Sequence, residues 1–209
     1  MRMPSVKVLT QSDARPWHFQ ELLKSNGRWR LAIFAGNIQS PSQKDSIWTL
    51  GARLAAPDSF IRRYTPADAA SISSTIEVLA VHSASRTRVD VFDFPPVFRP
   101  FSATAGFDYG KVFVDDESYH EGHGQAYEAY GIDPERGCAV AIRPDQYIGW
   151  IGAVDDYDMM ERYFGGFMKG RGDGGMQVDV DVGDVLKSAG SGGSEAERAE
   201  RDGSVLGAL

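Results

Sequence analysis

His120 and His123 stand three residues apart, beside Tyr119 and Glu121 and just downstream of Asp115, Asp116 and Glu117. Imidazoles and carboxylates at that spacing are the donors of a mixed nitrogen and oxygen metal site, because residues three apart meet on one side of a helical turn. Glycines at 122 and 124 point instead to a tight turn ahead of a helix, with the acidic cluster at its positive end. On that reading no metal is expected. The histidines also belong to a candidate acid-base set, His18, His120, His123, Tyr119, Asp145 and Tyr147. Imidazole titrates near neutrality and can take a proton from a phenol or an activated carbon without a cofactor. The corresponding activity is proton transfer, isomerisation, cyclisation or hydrolysis on a phenolic or polyketide-like aromatic substrate. The plainer reading makes the same tyrosines and histidines hydrogen-bonded core or interface residues.

Other chemistry is excluded more sharply. Cys138 is the sole cysteine, so an intrachain disulfide, a CxxC redox pair and a cysteine-rich zinc site are all out of reach. Its neighbours Gly137 and Ala139 lie in an apolar stretch, which suits a small buried hydrophobe better than a reactive thiolate. Gly122-His123-Gly124 lacks the preceding buried strand and the third glycine of a dinucleotide fingerprint, so neither flavin nor NAD is expected to bind these residues. The net charge is -7, with no run of Lys or Arg, which argues against nucleic acid. No secretory h-region follows Met1, and no apolar run approaches the roughly 20 residues of a membrane span. A soluble protein of the reducing cytoplasm is expected.

The elements that must position these groups follow from periodicity and turn chemistry. Arg28 to Ala35 reads as a buried strand closed by Gly36-Asn37. Ser40-Pro41 starts a helix that carries Ile47, Leu50, Leu54 and Trp48 at helical spacing and ends near Pro57. Thr75 to His82 is a second strand, and strand, helix, strand at this length predicts a right-handed parallel crossover. Arg88 to Phe94 alternates and then meets Pro95-Pro96, which predicts an edge strand or extended loop. A short helix follows Gly124 and ends at Gly131. Gly137 to Ile142 and Tyr147 to Val154 flank Arg143-Pro144-Asp145-Gln146, a type I turn, and so form an antiparallel hairpin. Asp155 to Met168 is the last helix, with Met159, Met160, Tyr163, Phe164 and Phe167 along one face. This is the element order of a thioredoxin-like α/β fold with a mixed central sheet, spanning residues 1–168. Residues 169–209 are acidic and rich in Gly and Ser, and are expected to form a flexible tail.

Several separated motifs then point one way. Tyr119-His120-Glu121-Gly122-His123-Gly124 with Tyr127, Tyr130-Gly131-Ile132-Asp133-Pro134, Arg143-Pro144-Asp145-Gln146-Tyr147 and Asp13-Ala14-Arg15-Pro16-Trp17-His18 resemble the C-terminal domain of flavin-dependent phenol 2-monooxygenases. The resemblance runs from about Val6 to Met168. It implies a thioredoxin-like fold that contributes to a dimer, in enzymes whose flavin and substrate domains have no counterpart here. Thioredoxin chemistry itself needs a thiolate at the start of the first helix, where this chain has Gly36-Asn37-Ile38-Gln39-Ser40-Pro41. The expected role is therefore association, as a homodimer or as an accessory to a separate flavin monooxygenase, with an aromatic small molecule as a further possible ligand. Trp17, Trp29, Trp48 and Trp150, with the many Phe and Tyr residues, are more than one core needs, and the outlets for the excess are a subunit interface or a small-molecule pocket, between which the sequence alone does not choose.

Overall fold

The computed structural model describes residues 1–170. In chain order its elements are β1 (Lys7–Thr10), β2 (Pro16–His18), α1 (Phe19–Leu22), β3 (Trp29–Gly36), α2 (Pro41–Ala55), α3 (Phe60–Tyr64) and β4 (Ile76–His82). After them come β5 (Phe101–Ser102), β6 (Gly106–Phe107), β7 (Val112–Val114), β8 (Glu117–Ser118), β9 (Gly122–His123), α4 (Ala126–Tyr130), β10 (Cys138–Ile142), β11 (Ile148–Gly152) and α5 (Tyr157–Gly165). The main sheet runs β11-β10-β3-β4-β7-β1-β2. Strands β3, β4 and β7 are parallel to one another, while β10, β11, β1 and β2 pair antiparallel. The quartet β11-β10-β3-β4, with α2 crossing between β3 and β4 and α5 after the hairpin, is the thioredoxin arrangement expected from sequence.

Strand alternation divides the interior into two layers. Leu31, Ile33 and Ala35 of β3, Ile76, Val78 and Ala80 of β4, and Ala139 and Ala141 of β10 face one side, with Ile47, Leu50 and Leu54 of α2 and Met160 and Phe164 of α5. Ala32 and Phe34, Leu79 and Val81, and Val140 and Ile142 face the other, under Phe19 of α1 and Ala126 and Tyr127 of α4. A sheet buried on both faces explains why Leu31 to Ala35, Val78 to Val81 and Ala139 to Ile142 are apolar at successive positions. Each buried aliphatic side chain here stabilises the fold by about 1.5–3 kcal/mol relative to exposure. Gly137, in the left-handed region at φ +68°, lies so close to β3 that a Cβ would run into the Phe34 carbonyl.

Four local expectations need correction. Arg88 to Phe94 is neither the edge strand nor the extended loop expected, because Asp90 accepts the Phe92 amide and Asp93 accepts the Asp90 amide, closing a 3-10 turn over Val91–Asp93. Trp48 lies outside the apolar stripe of α2, half-exposed, with Nε1 donating to the Asp93 carbonyl. The last helix ends at Gly165, short of Met168; its Met160 and Phe164 are buried and Met159 is exposed, while Phe167, beyond the helix, is half-exposed against Trp29. Ser40 is the N-cap of α2 with proline after it, but its hydroxyl meets Ser42 Oγ and no helix amide. The Arg143 to Gln146 turn closes as expected, with the N–H of its last residue, Gln146 at φ +67°, donating to the Arg143 carbonyl at 2.8 Å. The predicted tail falls outside the described residues, apart from Lys169 and Gly170.

Candidate functional site

At the start of α2, where a thioredoxin places its thiolate, the chain has Asn37 to Pro41. Asn37 is committed locally, its Oδ1 accepting the Gln39 amide at 3.2 Å and its Nδ2 donating to Glu135. The lone thiol sits on β10, with Cys138 paired to Phe34 of β3. Burial pushes the Cys138 thiol up to about 11, so almost none is thiolate at neutral pH.

The six acid-base candidates are all exposed and fall in three places, at the start of α1, on the β8-β9 hairpin and at the β10-β11 turn. His18 is the exposed N-cap of α1. Tyr119 and His120 contact each other edge to face in the exposed turn between β8 and β9. Asp145 accepts from Arg143 at 2.7 Å and from the Tyr147 amide at 3.2 Å in the β10-β11 turn. His123 comes nearest to an acid-base pair, with Nδ1 3.4 Å from Asp115 Oδ1. That nitrogen also accepts the Gln125 amide at 2.9 Å. The other oxygen of Asp115 accepts the Tyr127 amide at 2.9 Å, capping α4 as the acidic cluster suggested. None of the six borders the apolar hollow of about 410 Å³ beneath α4, lined by Met3, Tyr130, Ile132, Cys138, Val140 and Ile148 among others, or the hollows at Arg63 to Asp68, Gln43 to Asp155 and Arg28 to Lys111. Among the described residues, no group of three His, Cys, Asp or Glu side chains is placed to hold a metal ion.

Two features were not legible as candidates. His82, at the end of β4, is wholly buried against Phe94, with Nε2 2.9 Å from Gln11 Oε1. Burial lowers its pKa to about 4, so the ring is neutral at physiological pH. Its bond to Gln11 ties β4 to the segment after β1.

The second feature is a chain of exposed rings. Phe101 and Phe107, paired across the β5-β6 hairpin, have centroids 5.1 Å apart; Phe107 touches Tyr109 at 6.0 Å and Tyr109 touches Phe92 at 5.9 Å. The four are 63%, 49%, 36% and 57% exposed in that order. The Arg99 guanidinium lies 4.7 Å over the Phe92 ring. A buried ion network anchors the hairpin to the body. Glu77 of β4 accepts from Arg30 Nε at 2.9 Å through one oxygen and from Lys111 Nζ through the other, and Lys111 reaches back to Asp108 at 3.2 Å. Burial alone would raise the Glu77 pKa, but Lys111 and then Arg30 more than offset this and hold it below the ordinary value. The tryptophans singled out from composition contribute less to the surface than these rings. Trp29 is enclosed by Tyr163, Phe164 and Phe167, Trp150 lies over Tyr163, and Trp17 is covered by Arg15 and bonded to Thr10.

A thioredoxin-ordered sheet with serine in place of thiol at the start of α2 defines a thioredoxin-like domain whose one cysteine lies on β10. The family model described as phenol hydroxylase, C-terminal dimerisation domain, matches residues 1–172, and the chain belongs to that family. It is 38% identical over 173 residues to an FAD-dependent monooxygenase, terD, of Aspergillus terreus, covering 82% of this chain and 28% of that protein. It is 35% identical over 169 residues to the phenol 2-monooxygenase fsqG of Aspergillus fumigatus, covering 81% of this chain and 27% of that protein. A 3-hydroxybenzoate 4-monooxygenase of Comamonas testosteroni is 33% identical over 173 residues, covering 81% of this chain and 26% of that protein. The chain thus spans little more than a quarter of the length of these relatives. Among solved structures, the peroxidoxin BcpB of Mycobacterium tuberculosis matches with a TM-score of 0.48 and 12% identity, over 81% of this chain and 97% of that one. Among the described residues, no helix is long and apolar enough to cross a membrane.

Proposed function

We propose that this chain acts by association, either with a second copy of itself or as an accessory to a flavin-dependent aromatic monooxygenase, and that it carries out no thiol chemistry of its own. The observation behind this reading is the family match across the whole described body, in a domain whose α2 start holds Ser40 and whose only thiol is pushed up by burial. A dimerisation domain needs a rigid scaffold and a sticky face, and the double-layered sheet and the exposed rings meet those needs. The relatives named above are monooxygenases, which makes an enzyme of that class the natural second partner. The test is a mass measurement of the full chain alone, and of the chain mixed with a phenol hydroxylase lacking its own C-terminal domain. A complex in either sample is the expected result. A monomer in both overturns the reading.

A further inference from the structure

We propose that the hollow between Arg28 and the β5-β6 hairpin is a binding site for a small aromatic carboxylate, a benzoate-type monoanion. Its volume of about 340 Å³ falls at the lower end of the range of small-molecule sites and has room for one substituted ring. The site does not depend on whether the chain associates.

The preference for a monoanion follows from an uneven count of charges. Three cations, Arg28, Arg30 and Lys111, gather about two carboxylates, Glu77 and Asp108. Arg30 Nε takes one oxygen of Glu77 at 2.9 Å and Lys111 Nζ takes the other, so Arg28, with Nη1 3.9 Å from Glu77, stays within Coulombic range but beyond hydrogen-bond distance. Both oxygens of Asp108 are also committed, one to Lys111 at 3.2 Å and one to the Gly110 amide at 3.0 Å. The Arg28 guanidinium, 37% exposed at the hollow, therefore has no hydrogen-bonded acceptor among the described residues. Its planar fork of donors matches a carboxylate through two parallel bonds. One cation in excess balances one negative charge, and salt screens the chain's net charge of -7 beyond about 8 Å while leaving this local excess in place.

The aromatic part of the ligand is selected by the rest of the lining. Phe107 and Tyr109, with centroids 6.0 Å apart and planes 31° from parallel, line the hollow with Pro100 and give a planar ring an aromatic surface to stack on. Ser71 and Ser73 line it as well. Ser71 Oγ accepts the Ser73 amide at 3.2 Å and keeps its own proton to donate, and the hydroxyl of the buried Ser73 has no hydrogen-bond partner among the described residues. A cationic fork, ring walls and spare hydroxyls around one hollow are the few polar groups and apolar surface that hold and orient a ring with a charged head. The tie from Lys111 to Glu77 fixes the base of the hairpin in the sheet, so the walls are in place before a ligand arrives.

Titration of the full chain with benzoate, followed by the backbone amide chemical shifts of residues 71–73 and 102–109, tests this. Benzyl alcohol serves as the neutral analogue, acetate as the carboxylate without a ring, and inorganic phosphate as the dianion. The expected result is saturable shifts in those segments with a dissociation constant of about 1 mM or lower, and binding at least about 10-fold weaker for each of the other three. Arg28→Met and Phe107→Ala should each weaken benzoate at least about 10-fold, while Arg136→Met, at an exposed cation ahead of β10, should leave it unchanged. Arg28 and Phe107 are both partly exposed, so melting temperatures near that of the parent verify the fold; if Arg28→Met does not fold, Arg28→Gln takes its place. No saturable shift with benzoate overturns the site. Benzyl alcohol, acetate or phosphate binding as tightly as benzoate overturns the ligand class, and benzoate binding indifferent to Arg28→Met or Phe107→Ala, or weakened as much by Arg136→Met, overturns the location. Each of these results leaves the association reading standing.

Discussion

Replacing Glu77 by Gln removes the negative charge at the centre of a buried network while keeping the side chain's shape. Arg30 is 1% exposed and has three acceptors, Glu77 Oε2, the Arg28 carbonyl and Asn26 Oδ1, each at 2.9 Å. In the variant the two neutral acceptors remain, but two cations, Arg30 and Lys111, face one another's neighbourhood without the carboxylate between them. Breaking a buried pair by neutralising one partner costs about 3–5 kcal/mol, and Lys111's partial exposure and its second partner Asp108 place this case near the lower end. For a domain of this size that is a fall in melting temperature of about 10 °C. The carboxyl's lowered pKa makes the same prediction on the pH axis: its contribution is present above the unfolded value of 4.5 and is lost as pH falls through the folded value. Chemical denaturation of parent and variant at neutral pH gives the stability change, and hydrogen exchange across residues 101–109 reports whether the hairpin loosens with it. A loss below about 1 kcal/mol, with unchanged exchange in the hairpin, would refute the claim that this network anchors the ring surface.

Two further outcomes test other parts of the structure. His82, neutral and buried with a pKa near 4 against an ordinary 6.5, takes up a proton on unfolding as pH drops below 6.5, so stability should fall by up to about 3 kcal/mol between pH 6.5 and 4; His82→Gln should remove that slope, and an identical pH dependence in parent and variant would contradict the buried placement. Cys138, raised from 9.0 to about 11, should react with iodoacetamide at pH 8 about 100-fold more slowly than a free thiol, and Cys138→Ser should leave association untouched; rapid alkylation, or reduction of insulin disulfides that depends on Cys138, would be incompatible with this assignment.

Much of the scaffold was legible because long elements carry periodic information. Strands β3 and β4, helix α2 and the β10-β11 hairpin all lie where apolar runs, a proline at the first helical turn and the Arg143-Pro144-Asp145-Gln146 turn place them. The strands β1, β2 and β7, three or four residues each, are too short to show alternation, and tertiary pairing, of β7 with β4, of β1 with β7 and of β2 with β1, decides their state. At Arg88 to Phe94 the alternation was real, but two aspartates three residues apart hydrogen-bonded locally and outweighed it. The ring surface was hidden for a related reason. Phe101 and Phe107 sit on a hairpin of two-residue strands around Ala103-Thr104-Ala105, and nothing in their spacing distinguishes an outward ring from a buried one. Composition pointed correctly to surplus aromatics, yet the tryptophans it singled out are largely packed or bonded, and the surplus that forms a continuous surface is phenylalanine and tyrosine. The histidines attracted chemical attention by their spacing, whereas the histidine with a shifted pKa, His82, looked like the end of a strand.

The central claim is that this domain works by binding and not by thiol chemistry. Light scattering on the full chain of 22.9 kDa, over a concentration range from about 1 to 200 µM, tests it most directly. The account predicts a mass that rises to twice the chain's mass within that range and falls back on dilution; a mass that stays at 22.9 kDa throughout, with no heavier species when the truncated hydroxylase is added, would contradict it.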